Sequence, residues 1–111
     1  MASVQDNFTV DAGGSFTRLY EYKVDGEVVN LTGYLARGQV RKSTFTNLIL
    51  DFVPVIDEET YEITLTWTPE QTRLLLDSNY VYGLEVYNES TGDVAVVARG
   101  VVTVNQRIVR S

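Results

Sequence analysis

The sequence contains neither cysteine nor histidine among its 111 residues. Without cysteine, disulfides, thiolate zinc ligands and cysteine nucleophiles are excluded. Without histidine, the Ser-His and Cys-His catalytic arrangements are excluded, and no side chain has an unperturbed charge change between pH 5 and 8. These two absences remove the commonest hydrolytic and zinc-dependent functions.

Basic residues and long apolar stretches are also scarce. Nine lysines and arginines stand against 15 aspartates and glutamates, which gives a formal net charge of −6. Nucleic-acid binding needs clustered basic side chains that neutralise phosphates, so we expect no nucleic-acid partner. A membrane-spanning helix needs about 20 consecutive apolar residues. No such run occurs, so no membrane association is expected. The length suits one domain, residues 1–111, with one hydrophobic core.

Alternation of apolar and polar residues with a period of two is the dominant pattern. In "YEITLTW" (61–67) one face would carry Tyr61, Ile63, Leu65 and Trp67. The segments "SFTRLYEYKV" (15–24), "YVYGLEVY" (80–87) and "DVAVVARGVVTV" (93–104) repeat the alternation. Such alternation is typical of antiparallel strands that are buried on one face.

Turn residues separate these runs. Asp25-Gly26 is a strong signal for a two-residue hairpin, and residues 57–60 and 88–93 predict longer hairpin loops. Pro54 cannot donate to a strand ladder, so the strand near 48–53 is expected at a sheet edge. Strands are predicted near residues 7–10, 15–24, 27–30, 33–42, 47–53, 61–67, 80–88 and 93–104, of which 7–10 and 27–30 are marginal. The predicted fold is all-β, an immunoglobulin-like antiparallel β-sandwich of about seven strands.

One segment has helix signals instead. Thr68 is an N-cap candidate, Pro69 occupies the first helical position, and Gln71 completes a capping-box pattern. We expect one short helix near residues 69–76, with Leu74 and Leu75 facing the core.

The acidic and glycine clusters do not predict chemistry. Asp57, Glu58 and Glu59 are adjacent, so an extended chain cannot turn all three carboxylates toward one site, and their spacing is not that of a calcium loop. Gly13-Gly14 precedes a strand and lacks a following Gly-Lys-Ser/Thr, so it predicts a turn and no phosphate loop. We therefore expect no enzymatic activity, no cofactor and no metal.

The stretch "NLTGYLARGQVRKS" (30–43) supplies the first candidate interaction site. Its alternation would place Arg37, Gln39 and Arg41 on the outer face of a strand. Two interpretations remain open: pairing with glutamates on neighbouring strands (Glu21, Glu62 or Glu85), or docking of the arginines onto an acidic patch of another subunit. Arg99, which interrupts the apolar last strand, raises the same question.

Glycines punctuate the same stretch. Gly33 is expected to turn the chain into the strand. Gly38 would share the inward face of that strand and leave room for a large neighbour such as Trp67.

The two ends of the chain are a second candidate site. Residues 1–6 and 105–111 are expected to be flexible or to dock onto a partner. The apolar-basic tail of Arg107, Ile108, Val109 and Arg110 could add a strand to a neighbouring subunit.

Three segments in order resemble small immunoglobulin-like virion proteins of tailed bacteriophages, in particular the N-terminal domain of phage baseplate upper proteins. The matching residues are Leu31, Thr32, Gly33, Tyr34, Ala36, Arg37, Gln39, Val40 and Arg41, then Ile63, Leu65, Gln71 and Thr72, then Tyr80, Val81, Tyr82, Leu84, Gly92, Gly100 and Val102. The sequence departs from the family pattern at Gly38 and Gly83 and in the longer loop 89–93. The resemblance implies a structural role in the tail or baseplate region and no catalytic residues to carry over.

The expected partners are other virion proteins or further copies of the chain, in a particle assembled in the cytoplasm of a host bacterium. A capsid cement or decoration protein is the alternative within this class. An alternative of another class is a carbohydrate-binding module, for which the aromatic residues Tyr20, Tyr22, Tyr34, Tyr61, Trp67, Tyr82 and Tyr87 could form a stacking platform.

Overall fold

The computed structural model describes residues 4–43 and 48–106, and these form β-strands with one short helix. In chain order the elements are β1 (Val4–Gln5), β2 (Phe8–Asp11), β3 (Phe16–Glu21), β4 (Lys23–Val24), β5 (Glu27–Val28), β6 (Leu35–Arg41), β7 (Leu48–Phe52), β8 (Val55–Ile56), β9 (Glu62–Trp67), α1 (Pro69–Thr72), β10 (Asn79–Tyr87) and β11 (Val94–Asn105). The strands outnumber the predicted seven mainly because the 15–24 run divides into β3 and β4, and because the short strands β1 and β8 were not predicted.

The strands form two main sheets and a small ribbon. The larger sheet has the order β1-β11-β10-β6-β7, with β2 also paired to β11; the smaller sheet has the order β3-β9-β8; β4 and β5 form the ribbon at Asp25-Gly26. This arrangement is an all-β sandwich with the immunoglobulin-like strand order, which confirms the predicted fold class. Strand β7 lies at the sheet edge, as Pro54 predicted.

Not every strand pair is antiparallel. β1 and β2 both run parallel to β11, with Val4 opposite Ala98 and Phe8 opposite Val102. The other strand pairs are antiparallel as predicted, and the parallel pairing at this edge was not predicted. Alternation reports which face of a strand is buried, but it carries no information about strand direction.

The core lies between the two sheets, and Trp67 joins them. Ile63, Leu65 and Trp67 of β9 are fully buried, as their alternation predicted. The Trp67 ring centroid lies 5.3 Å from that of Phe52 and 5.6 Å from those of Phe8 and Phe16. Phe8 and Phe52 belong to the larger sheet and Phe16 to the smaller one, so this aromatic cluster spans the sandwich.

Gly38 makes room for a ring, but the ring is that of Phe52. A Cβ atom at position 38 would lie only 2.3 Å from Cε2 and Cζ of Phe52. Phe52 in turn packs edge-on against Trp67, with an interplanar angle of 77°. Gly38 therefore allows the close approach of a large side chain, as predicted. That side chain is Phe52, and the predicted neighbour Trp67 lies behind it.

The helix is shorter than predicted. Its capping box is as expected: the Thr68 side chain accepts the Gln71 N–H and the Gln71 side chain accepts the Thr68 N–H. The helix ends at Thr72 instead of continuing to residue 76. Beyond it the N–H groups of Leu74 and Leu75 donate to the carbonyls three residues earlier, and the chain forms a turn. In this turn Leu75 is fully buried whereas Leu74 is 52% exposed and faces away from the core, contrary to the prediction.

We expect Gly38→Ala to lower the free energy of unfolding by about 1–3 kcal/mol, because the added methyl group overlaps the Phe52 ring. Urea unfolding at neutral pH measures the change. Gly83→Ala is the matched control on the adjacent strand β10, because a Cβ there meets no atom within 4 Å. Equal stability of the two variants would contradict the packing account of Gly38.

Candidate interaction site on the outer face of the larger sheet

Strand β6 presents a polar outer face. Ala36, Gly38 and Val40 are buried, so the intervening Arg37, Gln39 and Arg41 point outward. This is the orientation that the period-two pattern predicted.

These three side chains form one wall of an open groove. In the middle of the sheet Gly83 of β10 lies between Gln39 of β6 and Arg99 of β11. Gly83 has no side chain and no atom near its missing Cβ, so the sheet surface is hollow at this point. The groove has a volume of about 770 Å³, and Gln5, Val81 and Val101 also line it. Glycine and valine thus form most of the floor, and the walls carry amides, guanidinium groups and the carboxylate of Glu85.

Arg99 reaches the outer face because β11 contains an irregularity. Its pairing with β10 shifts between Leu84 and Glu85, and the two adjacent residues Val97 and Ala98 are both fully buried. A β-bulge of this kind reverses the inside-outside phase of the residues that follow. Without it Arg99 would point into the core. Sequence reasoning noted Arg99 but did not include it in the site, because strict alternation does not show the phase change.

The three arginines of the groove differ in their contacts. Arg37 pairs with Glu85, directly opposite it on β10, and its guanidinium carbon lies 4.5 Å above the Tyr87 ring. The pairing interpretation is therefore correct for Arg37. Arg41 donates from Nη2 to Oε1 of Gln39 at 2.8 Å.

Arg99 is exposed, and its guanidinium has no acidic partner within residues 4–43 and 48–106. The acidic side chains nearest in the sheet pairing are Glu85, which holds Arg37, and Asp51, opposite Gln39. A basic groove thus lies on a domain whose net charge is negative.

Asp6 fixes the N-terminal edge of the groove. Its carboxylate accepts hydrogen bonds from Arg18 Nε (2.5 Å) and Nη2 (2.6 Å) and from the Tyr20 hydroxyl (2.8 Å). Its backbone carbonyl accepts the Tyr82 hydroxyl at 2.6 Å, and its N–H donates to the Arg99 carbonyl at 2.9 Å. These bonds reach both sheets and hold β1, with Gln5, beside Arg99.

The ionisation states in this cluster follow from its contacts. The hydrogen bonds from Arg18 lower the pKa of Asp6, so the carboxylate is charged at neutral pH. Burial raises the pKa of Tyr82 to about 12 and also raises the pKa of Tyr20. Both hydroxyls therefore keep their protons and remain available as donors. No sequence pattern pointed to this cluster, because its members are far apart along the chain.

The aromatic residues do not line this groove as a platform. Trp67, Tyr20 and Tyr82 are buried in the core, and Tyr87 lies beneath the Arg37 guanidinium. Most of the aromatic residues considered for a stacking platform are thus engaged in packing within the protein.

The acidic hairpin at residues 57–60 is a turn. The Asp57 carboxylate accepts the N–H groups of Glu59 (2.8 Å) and Thr60 (3.2 Å), which lower the pKa of Asp57. Among the residues that the structure describes, no group of three acidic side chains is arranged to hold a metal ion. In the same part of the chain no helix has the length and hydropathy to cross a membrane.

The second predicted site cannot be placed. Arg107, Ile108, Val109 and Arg110 lie outside the described residues. Of the predicted N-terminal end 1–6, Val4 and Gln5 form β1 at the edge of the larger sheet.

No protein-family model and no curated protein matches this chain. The site must therefore be interpreted from its own geometry and chemistry.

We expect Asp6→Asn to lower the free energy of unfolding at pH 7 by about 1–2 kcal/mol, because it weakens the charge-assisted bonds from the partly solvent-screened Arg18. The folded pKa of Asp6 lies below its ordinary value of 3.8. The stabilisation is therefore complete above about pH 4 and disappears as the pH falls through the folded pKa. Urea unfolding of both proteins at pH 7 and pH 2.5 measures this convergence. Asp11→Asn, at an exposed position of β2, is the control; a difference that persists undiminished at pH 2.5 would contradict the assignment.

Proposed function

We propose that this chain is a non-enzymatic structural protein of a tailed-bacteriophage particle, located in the tail or baseplate region. Its role is assembly: the sandwich is a rigid support, and the outer face of the larger sheet binds a neighbouring virion subunit. The observation that carries this proposal is the basic groove around Gly83, which is open to solvent on a domain of net charge −6.

The groove overlaps the segments that resemble phage virion proteins. Most of its lining comes from β6, β10 and β11, which carry residues of two of those three segments, and Gln5 of β1 adds to it. The third segment supplies β9 and α1, which carry the core and the capping box. Arg37, Gln39, Arg41 and Val81 belong both to the resemblance and to the lining, whereas Gly83 at the centre of the groove is a departure from the family pattern.

The chemistry of the groove favours a protein partner. Arginine is enriched at protein interfaces, where its planar group forms paired bonds with carboxylates. Three arginines, one already paired to Glu85, are too few to neutralise a nucleic-acid backbone on an acidic domain. Repetition of the subunit in a symmetric particle multiplies modest contacts through avidity.

A capsid decoration protein would use the same kind of surface, so the location within the particle is decided by experiment. Mass spectrometry of purified particles, followed by separate examination of tails and capsids, locates the chain. Absence of the chain from purified particles would refute the proposal, and its presence only in capsids would select the decoration role.

We expect Arg99→Glu to reduce incorporation into particles severalfold while leaving the urea midpoint of the isolated chain nearly unchanged. Arg99 is exposed and has no acidic partner among the described residues, so its loss removes an intermolecular contact and no intramolecular ion pair. Arg73→Glu is the matched control, because Arg73 is exposed at the C-terminus of α1, away from the groove. Quantitative mass spectrometry of particles from complemented infections measures both. Equal incorporation of the two variants would remove the groove from the assembly surface.

A further inference from the structure

We infer that the hollow above Gly83 is a carboxylate-binding site, which receives an aspartate or glutamate side chain from an extended acidic segment of a partner protein. A partner of this chemistry presupposes the assembly role proposed above and specifies what the groove recognises.

Hydrogen-bond donors flank the hollow on the two neighbouring strands, and along β10 it lies between Val81 and Glu85, whose carboxylate is paired with Arg37. Gln39 and Arg99 flank Gly83 on the two neighbouring strands, and Gln5 lies beyond Arg99 on β1. Arg41 donates to Oε1 of Gln39, which fixes the oxygen of that amide toward Arg41 and leaves the amide N–H groups for another acceptor. Guanidinium and amide donors around a vacant position are the groups that bind a carboxylate.

Gly83 is what makes the position vacant. A Cβ atom there would meet nothing within 4 Å, whereas one at Gly38 or Gly100 would overlap neighbouring atoms. Close packing thus accounts for Gly38 and Gly100 but not for Gly83. A glycine inside a strand weakens it, and it often marks a bulge, such as the one beside Leu84, or a site where another group approaches the backbone closely.

The width of the groove selects an extended chain. Its walls stand on β6 and β11, which are two strand spacings apart, about 9.5 Å. One extended segment fits between them along β10. Side chains two residues apart on such a segment point the same way, about 6.8 Å apart. With a carboxylate above Gly83, the residue two positions along lies over Val81 and Val101, so an apolar residue is favoured there.

Charge favours a short segment over a second compact copy. The acidic hairpin of another copy would bring its whole net charge of −6 toward a domain of equal charge. An extended segment brings only its own few carboxylates into the basic groove. In the hairpin, moreover, the Asp57 carboxylate is already bound by the N–H groups of Glu59 and Thr60.

The test uses the ¹⁵N-labelled protein and the peptide acetyl-Ser-Leu-Ser-Glu-Ser-Leu-Ser-amide, whose two leucines make it independent of chain direction. NMR titration should shift the Gly83 amide, the Gln39 side-chain amide and the Arg99 Nε–H. The same peptide with glutamine in place of glutamate should bind about tenfold more weakly or worse, because the charge-assisted bonds are lost. Equal binding of the two peptides, or shifts spread over the whole surface, would overturn the inference.

Two variants locate the site. Gly83→Glu places an internal carboxylate in the hollow, and we expect it to fold normally and to lose peptide binding. Thr66→Glu adds the same charge on the exposed face of the smaller sheet and should bind as the unmodified protein does. Binding that persists in Gly83→Glu would overturn the assignment.

Sedimentation velocity of the unmodified chain and of Gly83→Glu tests whether a second copy of the chain occupies the groove. Self-association that Gly83→Glu abolishes would assign the groove to a second copy and overturn the partner-protein occupant. If the chain binds the peptide but is absent from particles, only the proposed function is refuted. If the chain is found in particles but binds both peptides equally, only the carboxylate-binding site is refuted.

Discussion

The contact between Trp67 and Phe52 is the constraint on which the two sheets depend. Trp67 is fully buried, and its ring meets side chains from both sheets, so the spacing of the sandwich is set around it. Within residues 4–43 and 48–106 the buried Trp67 indole N–H has no hydrogen-bond partner, an arrangement that costs free energy. Phe52 takes its place against Trp67 only because Gly38 has no side chain. Packing therefore determines which residues of β6 point inward, and the residues between them point outward as a consequence.

The second constraint is the Asp6 cluster, which closes the open edge of β11. An unpaired edge strand invites association with other chains, and β1 and β2 cover this one by parallel pairing. The chain can pass so close because Gly100 has no side chain: a Cβ there would lie 2.3 Å from the Asp6 carbonyl oxygen. Arg18 and Tyr20 tie the covering segment to the smaller sheet. The edge of β11 is thereby covered, and the outer face of the sheet remains exposed.

Features that depend on neighbouring residues could be predicted from the sequence, whereas features that join distant residues could not. Alternation placed Arg37 and Arg41 outward correctly, because the neighbours of each on β6 show the phase directly. It did not give the orientation of Arg99, because the bulge at Val97 interrupts the phase within one strand. The Asp6 cluster and the parallel edge were not predicted, since they join residues up to 94 positions apart that share no repeating pattern. The helix end was misplaced because the chain enters a turn directly after Thr72.

The bulge in β11 and Gly83 in β10 together form the groove. The bulge turns Arg99 outward, and Gly83 leaves the space in front of it empty, so neither feature alone would form a groove. Arg37 and Glu85 neutralise each other at one end, so the charge that faces the hollow above Gly83 is that of Arg99, which has no acidic partner among the residues that the structure describes.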